Sequence, residues 1–197
     1  MTKRQETCEQ RIGAALESTM DDIRVLWTTY AIGDKAFESV KELHEKYEEF
    51  CAKDVPTDKD DREEYDDEKD DLESEIEILD DDHRYVFDNY QQARDLGGPE
   101  GIYDYGLSFD YVPYDDENDY GDFFRWQLSW GGPSDELQFY VTPDNHVKSV
   151  DYAYKDWFDG ATRTLKGDNK QLAVQIFDWF VESGTVDHVR EEAMANE

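Results

Sequence analysis

Between Asp54 and Asp82, seventeen of twenty-nine residues are Asp or Glu, against three cations, Lys59, Arg62 and Lys69. No other stretch constrains the fold as strongly. Fourteen net negative charges repel one another, and so polar a segment cannot form the interior of anything. One pattern relieves the constraint. Tyr65, Leu72, Ile76 and Leu79 follow at intervals of seven, four and three, which places them on one face of a helix. The segment is therefore expected to be a helix that docks by a thin apolar stripe and turns its acids to water. Thr57 is expected to cap it, with the helix starting near Asp58. Few of the acids have a Lys or Arg at i,i+4 to relieve the repulsion. Something else must offset it: packing, screening by salt, or a partner.

The acidity extends beyond this block. The 197-residue chain has 51 Asp and Glu against 20 Lys and Arg, a formal net charge of −31. Solubility of a small domain needs a net charge of only about 2–8. The apolar fraction, 38%, is below the roughly 45–50% of ordinary globular chains. Aromatic residues nevertheless make up 14%, with 13 Tyr, 10 Phe and 5 Trp. Disordered acidic segments are poor in such residues, so a folded core is expected. There is no apolar run long enough to span a bilayer, and the start, MTKRQETCEQRIG, lacks the apolar centre of a signal peptide. A cytoplasmic location is expected. Cys8 and Cys51 do not make a disulfide scaffold, and a bridge between them is left open.

Hydrophobic periodicity divides the chain into an acidic helical region, 1–98, and a sheet with a C-terminal helix, 99–197, expected to form one compact unit. Ile12, Leu16, Ile23, Leu26, Trp27 and Tyr30 predict a helix over 5–30, ended or interrupted by Gly33. Phe37, Val40, Tyr47 and Phe50 predict a second over 34–53. The acidic helix is expected to break near Asp80–Asp82 and resume through Tyr85, Val86, Tyr90 and Ala93, until Gly97-Gly98-Pro99 ends it. Strands are predicted over 102–113, 123–130, 136–142 and 147–153. In the second, Phe124, Trp126, Leu128 and Trp130 alternate with polar neighbours. The short turns between strands imply an antiparallel meander. Residues 154–165 read as a loop with a short helix. A helix is predicted over 169–182, and a short terminal one over 187–192. The fold class is α+β: an N-terminal helical half, then a small antiparallel β-meander with a C-terminal packing helix.

Motifs for chemistry are sparse. His44, His83, His146 and His188 stand singly, without H-x-x-x-H or H-E-x-x-H spacing. The cysteines lack C-x-x-C spacing. The loop 115–122 is the best-looking calcium-loop candidate in this Asp-rich chain. With Gly121 at position six, Asp116 and Asn118 take positions one and three, but Tyr120 takes five and Gln127 takes twelve, so the EF-hand pattern fails. There is no P-loop, dinucleotide fingerprint or G-x-S-x-G elbow. Gly131-Gly132-Pro133-Ser134 reads as a hairpin turn rather than a nucleophile site. With 51 carboxylates, a pair suited to acid–base work carries no information. No enzyme activity, cofactor or metal is expected.

The charge also narrows the partners. Nucleic acid and anionic membranes are disfavoured, because each requires Lys and Arg. Trp126, Trp130, Phe139, Tyr152, Trp157 and Phe158 are therefore expected in the core or an interface, not as base-stacking platforms. Exposed tyrosines between Tyr103 and Tyr120 are candidate anchors. The expected partner is a basic protein surface, and the candidate contacts are the clustered acids. These are Asp60, Asp61, Glu63, Glu64, Asp66, Asp67, Glu68, Asp70, Asp71, Glu73, Glu75 and Glu77, with a second patch at Asp115, Asp116, Glu117 and Asp119. A homodimer is left open.

In composition the chain is similar to the acidic DNA mimics that phages and plasmids encode against host restriction and related defence systems. Its aromatic half, in Tyr103–Asp110, Phe123–Thr142 and Trp157-Phe158-Asp159-Gly160, resembles mobile-element proteins without a catalytic assignment. The resemblance implies an inhibitor of a host DNA- or RNA-binding enzyme complex, of restriction or CRISPR type, with no functional residue carried over. Two other readings stay open. Adaptation of a whole proteome to high salt lowers pI in every protein, whatever its role. An inhibitor or immunity protein can neutralise a basic partner without imitating DNA.

Overall fold

Gly33 interrupts the first apolar stripe, and its backbone shows why a glycine stands there. In the computed structural model, which describes residues 6–114 and 121–195, it has φ 77° and ψ 168°, a break inside helix α1 (Cys8–Cys51). A side chain would be strained at that φ. The chain divides into two compact units, Met1–Asp21 with Asp104–Glu197, and Asp22–Tyr103.

The second unit is helical. Helix α2 (Lys59–Glu77) is capped by Asp58, whose side chain accepts from the backbone N–H of Asp60 at 3.0 Å. The expected cap, Thr57, lies one residue too early. Helix α2 ends at Glu77, and Asp80 caps α3 (Asp81–Asp88) by accepting from the backbone N–H of His83. The predicted break near Asp80–Asp82 is thus a second start signal. Helix α4 (Tyr90–Asp95) follows, then Gly97 in the left-handed region, a 3-10 turn at Gly98–Glu100 and α5 (Gly101–Asp104). Ile102 is buried in α5, which corrects the strand expected from that residue onward. The core of this unit joins Val25, Val40, Leu43 and Phe50 of α1 to Leu72 and Ile76 of α2 and to Val86, Phe87 and Tyr90.

The first unit contains a five-stranded antiparallel sheet in the order β1-β2-β3-β4-β5. The strands are β1 (Ser108–Val112), β2 (Phe123–Gln127), β3 (Ser134–Val141), β4 (Val147–Asp156) and β5 (Asp159–Thr164). Leu128 and Trp130 fall outside β2, so the predicted alternation holds only for Phe124 and Trp126. The fifth strand replaces the loop expected over 154–165. It is a largely exposed edge strand, so it has no buried face and no apolar alternation to reveal it. Register sets Phe124 opposite Phe139, Trp126 opposite Leu137 and Leu137 opposite Tyr152. These side chains share one face and are buried. Helix α6 (Gly167–Glu182) covers that face. Its Phe177 ring lies 5.1 Å from Phe139 and 5.5 Å from Phe124, and Phe180 lies 4.1 Å from Phe109 of β1. Each buried aromatic stabilises by roughly 1.5–3 kcal/mol. Helix α7 (Thr185–Ala195) ends the described chain.

Candidate functional site

Twelve carboxylates line α2, and every one is exposed to solvent. The reason is the stripe beneath them. Leu72 and Ile76 are buried, Tyr65 is half-buried against Phe50 with ring centroids 4.7 Å apart, and these residues fix which way the helix faces. At about 1.5 Å per residue the nineteen residues of α2 span about 28 Å. Twelve acids against three bases leave nine net negative charges on it, or one per about 3 Å, close to the roughly 3.4 Å spacing of phosphates along one DNA strand.

Three of the twelve are held in ion pairs: Asp66 by Arg62 at 3.1 Å, Glu68 by Lys53 at 2.5 Å, and Glu73 by Lys69 at 3.3 Å. The bond to Glu73 raises the pKa of the Lys69 ammonium above its ordinary value. Asp60 and Asp61 lie in the first turn, where the helix dipole favours them, but no basic residue stands in the last turn beside Glu75 and Glu77. Charge therefore works against this helix over much of its length, and its docked stripe must supply the stability. The second expected patch, Asp115, Asp116, Glu117 and Asp119, lies outside the described residues.

The predicted aromatic set divides in two. Trp126, Phe139 and Tyr152 are core residues, whereas Trp130 is 80% exposed, Trp157 is 86% exposed and Phe158 is fully exposed. Trp157 and Phe158 form the two-residue turn between β4 and β5, flanked by the paired Asp156 and Asp159. Tyr103 and Tyr114 are also exposed.

The face of the sheet opposite α6 holds a concavity of about 370 Å³. Both of its cations are paired: Lys155 with the buried Glu136 at 2.8 Å, and Arg125 with Asp110 at 3.2 Å. Asp151 Oδ1 is buried there without a hydrogen-bond partner. His83 Nδ1 is 2.6 Å from Asp80, and the backbone N–H of His83 is the main cause of that carboxyl's lowered pKa. His44 packs on Phe87 and Tyr90. Among the described residues no three His, Cys, Asp or Glu side chains gather as a metal site. Both cysteines are free thiols. No described helix is long and apolar enough to cross a membrane.

The chain matches no family model, no curated protein and no solved structure.

Proposed function

We propose that this is a cytoplasmic DNA-mimic protein that binds and inhibits a host DNA-binding defence enzyme or complex, of restriction or CRISPR type. The observation that carries the reading is the carboxylate row of α2. It is exposed along about 28 Å, mostly without cationic partners, and held in one orientation by Leu72 and Ile76. A cleft lined with Lys and Arg for DNA meets there a comparable linear charge density on a rigid rod. Such a field speeds encounter with a basic surface and suppresses association with acidic ones.

Affinity capture from host extract, at low and at moderate salt, tests the reading. Capture of a DNA-binding enzyme that duplex DNA then releases is the expected result. Capture that duplex DNA leaves intact would assign the acids to a neutralising inhibitor without mimicry. Failure to capture any basic protein, together with full stability only in molar salt, would assign them to salt adaptation.

A further inference from the structure

Trp157 occupies a turn position that disfavours a bulky side chain, and Phe158 follows it. Two-residue hairpin turns favour Asn, Asp and Gly, because the backbone enters the left-handed region. Trp157 is in that region, at φ 54°, and both side chains face water. The indole is seated nonetheless. A Cβ on Gly132 would lie 2.5 Å from Trp157 Nε1, so the missing side chain at Gly132 makes room for the ring. Trp130 is exposed two residues before Gly132, in the neighbouring β2–β3 loop. The turn is anchored from below: Arg11 bonds Asp156, and Asp159 accepts the backbone N–H of Cys8. A groove of about 420 Å³ runs along it, bordered by Glu6, Arg11, Trp157 and Phe158.

The local charge selects the occupant. Among the described residues, Arg11 is bonded to Asp156 and Arg163 to Glu9, and Glu6 and Asp159, which border this groove, carry no ion pair. A second copy would bring another −31, and nucleic acid or an anionic bilayer would be repelled likewise. This end of the sheet also shows how a guanidinium is held: Arg11 bonds the Asp156 carboxylate while its Cζ lies 5.4 Å from the centre of the Tyr154 ring. Trp157 and Phe158 offer further aromatic faces beside carboxylates. We infer that the exposed aromatic end formed by Trp130, Trp157 and Phe158 is a docking point for arginine side chains of a basic protein partner. This rests on the proposed charge-driven binding and adds to it a preference for arginine over lysine. Guanidinium stacks on aromatic faces and pairs with carboxylates in a planar fork, whereas ammonium acts as a point charge.

The test uses the full chain and two labelled peptides of equal charge, (Arg-Gly)6 and (Lys-Gly)6, followed by anisotropy and tryptophan fluorescence at low salt. The arginine peptide is expected to bind about threefold tighter or better. The double variant Trp157→Ala/Phe158→Ala, with its fold checked by circular dichroism, should abolish that preference while keeping residual binding. Asp67→Lys on α2 should weaken both peptides alike and keep the preference. Equal affinity for the two peptides, or a preference that survives the double variant, overturns this inference alone. Absence of binding by either peptide overturns the charge-driven reading with it. A dimer in sedimentation that the double variant disperses would assign the aromatic end to a second copy and overturn the arginine assignment.

Discussion

Asp159 Oδ2 accepts the backbone N–H of Cys8 at 2.6 Å, across 151 residues of sequence. The turn end of the β4–β5 hairpin thereby caps α1, satisfying one of the donors that every helix leaves open at its start. The Cys8 thiol donates to the Asp159 carbonyl at 3.3 Å, and burial, reinforced by the Asp159 charge, pushes its pKa up. Asp159→Ala should therefore cost about 1–2 kcal/mol, and Asp159→Asn less, since an acceptor remains. Chemical denaturation measures both. Thiol titration adds a second readout. In the wild type the exposed Cys51 should react quickly and Cys8 slowly, and Asp159→Ala should accelerate Cys8 alone.

Inside the sheet unit, Asp135 Oδ2 accepts from Tyr152 at 2.8 Å and from Thr19 at 3.0 Å, while Ser129 donates to Oδ1. Tyr152 is fully buried, and burial, with the neighbouring Asp135 carboxylate, raises its pKa far above the ordinary tyrosine value of about 10. The sign follows from linkage. A pKa raised by folding gives stability that is complete below the unfolded value and is lost as pH rises from about 10 towards the folded value. Tyr152→Phe should destabilise at pH 7 by about 1–3 kcal/mol, having removed a bond to a charged acceptor. It should also make the further loss between pH 9 and 11 shallower than in the wild type. Urea midpoints across that range decide it, and parallel slopes would contradict the placement of Tyr152 beside Asp135.

Leu72 is the apolar side chain at the middle of the α2 stripe, buried with Ile76 against the α1 core. Leu72→Ala should cost about 2–3 kcal/mol through lost burial and a partly unfilled space. Because charge opposes this helix, its local effect should be larger than elsewhere. Hydrogen exchange over Lys59–Glu77 should accelerate before exchange in the sheet changes. Uniform acceleration across the chain would show instead that α2 docks as strongly as the core.

Burial contrast decides which elements are legible in the amino-acid sequence. Leu72 and Ile76 declared α2, and Phe124 and Trp126 declared β2, because each has a wet side and a dry side that periodicity detects. β5 had no such contrast: Asp159–Thr164 is an edge strand, mostly exposed on both faces. Ile102, a β-former after Gly-Gly-Pro, suggested a strand but is buried in a single helical turn. The acids of α2 were legible as a cluster because the density of charge needs no fold to be seen. Trp157 and Phe158 were legible only as core or interface, without a choice between the two. Hydropathy assigns such residues to a core, and only the left-handed backbone at Trp157 and its seat over Gly132 reveal a presented pair.

Asp67 offers a direct test of whether the α2 acids serve stability or presentation. Its neighbours at three and four residues on either side are Glu63, Glu64, Asp70 and Asp71, all acidic and exposed. Each like-charge pair at this spacing opposes the helix by about 0.2–0.5 kcal/mol. Asp67→Lys turns all four repulsions into attractions and should stabilise the chain by on the order of 1 kcal/mol or more, a rise of a few degrees in Tm for a protein of this size. The gain should be largest in about 10 mM salt, where the screening length is about 30 Å, and should shrink by 0.15 M, where it is about 8 Å. Thermal melts at the two salt concentrations measure it. The same substitution should weaken capture of a basic partner and flatten its salt dependence, since one contact charge has been reversed. Opposite changes in stability and binding mark a surface kept acidic for recognition at the expense of its own helix. A fall in Tm with Asp67→Lys would instead mark the acid as structural.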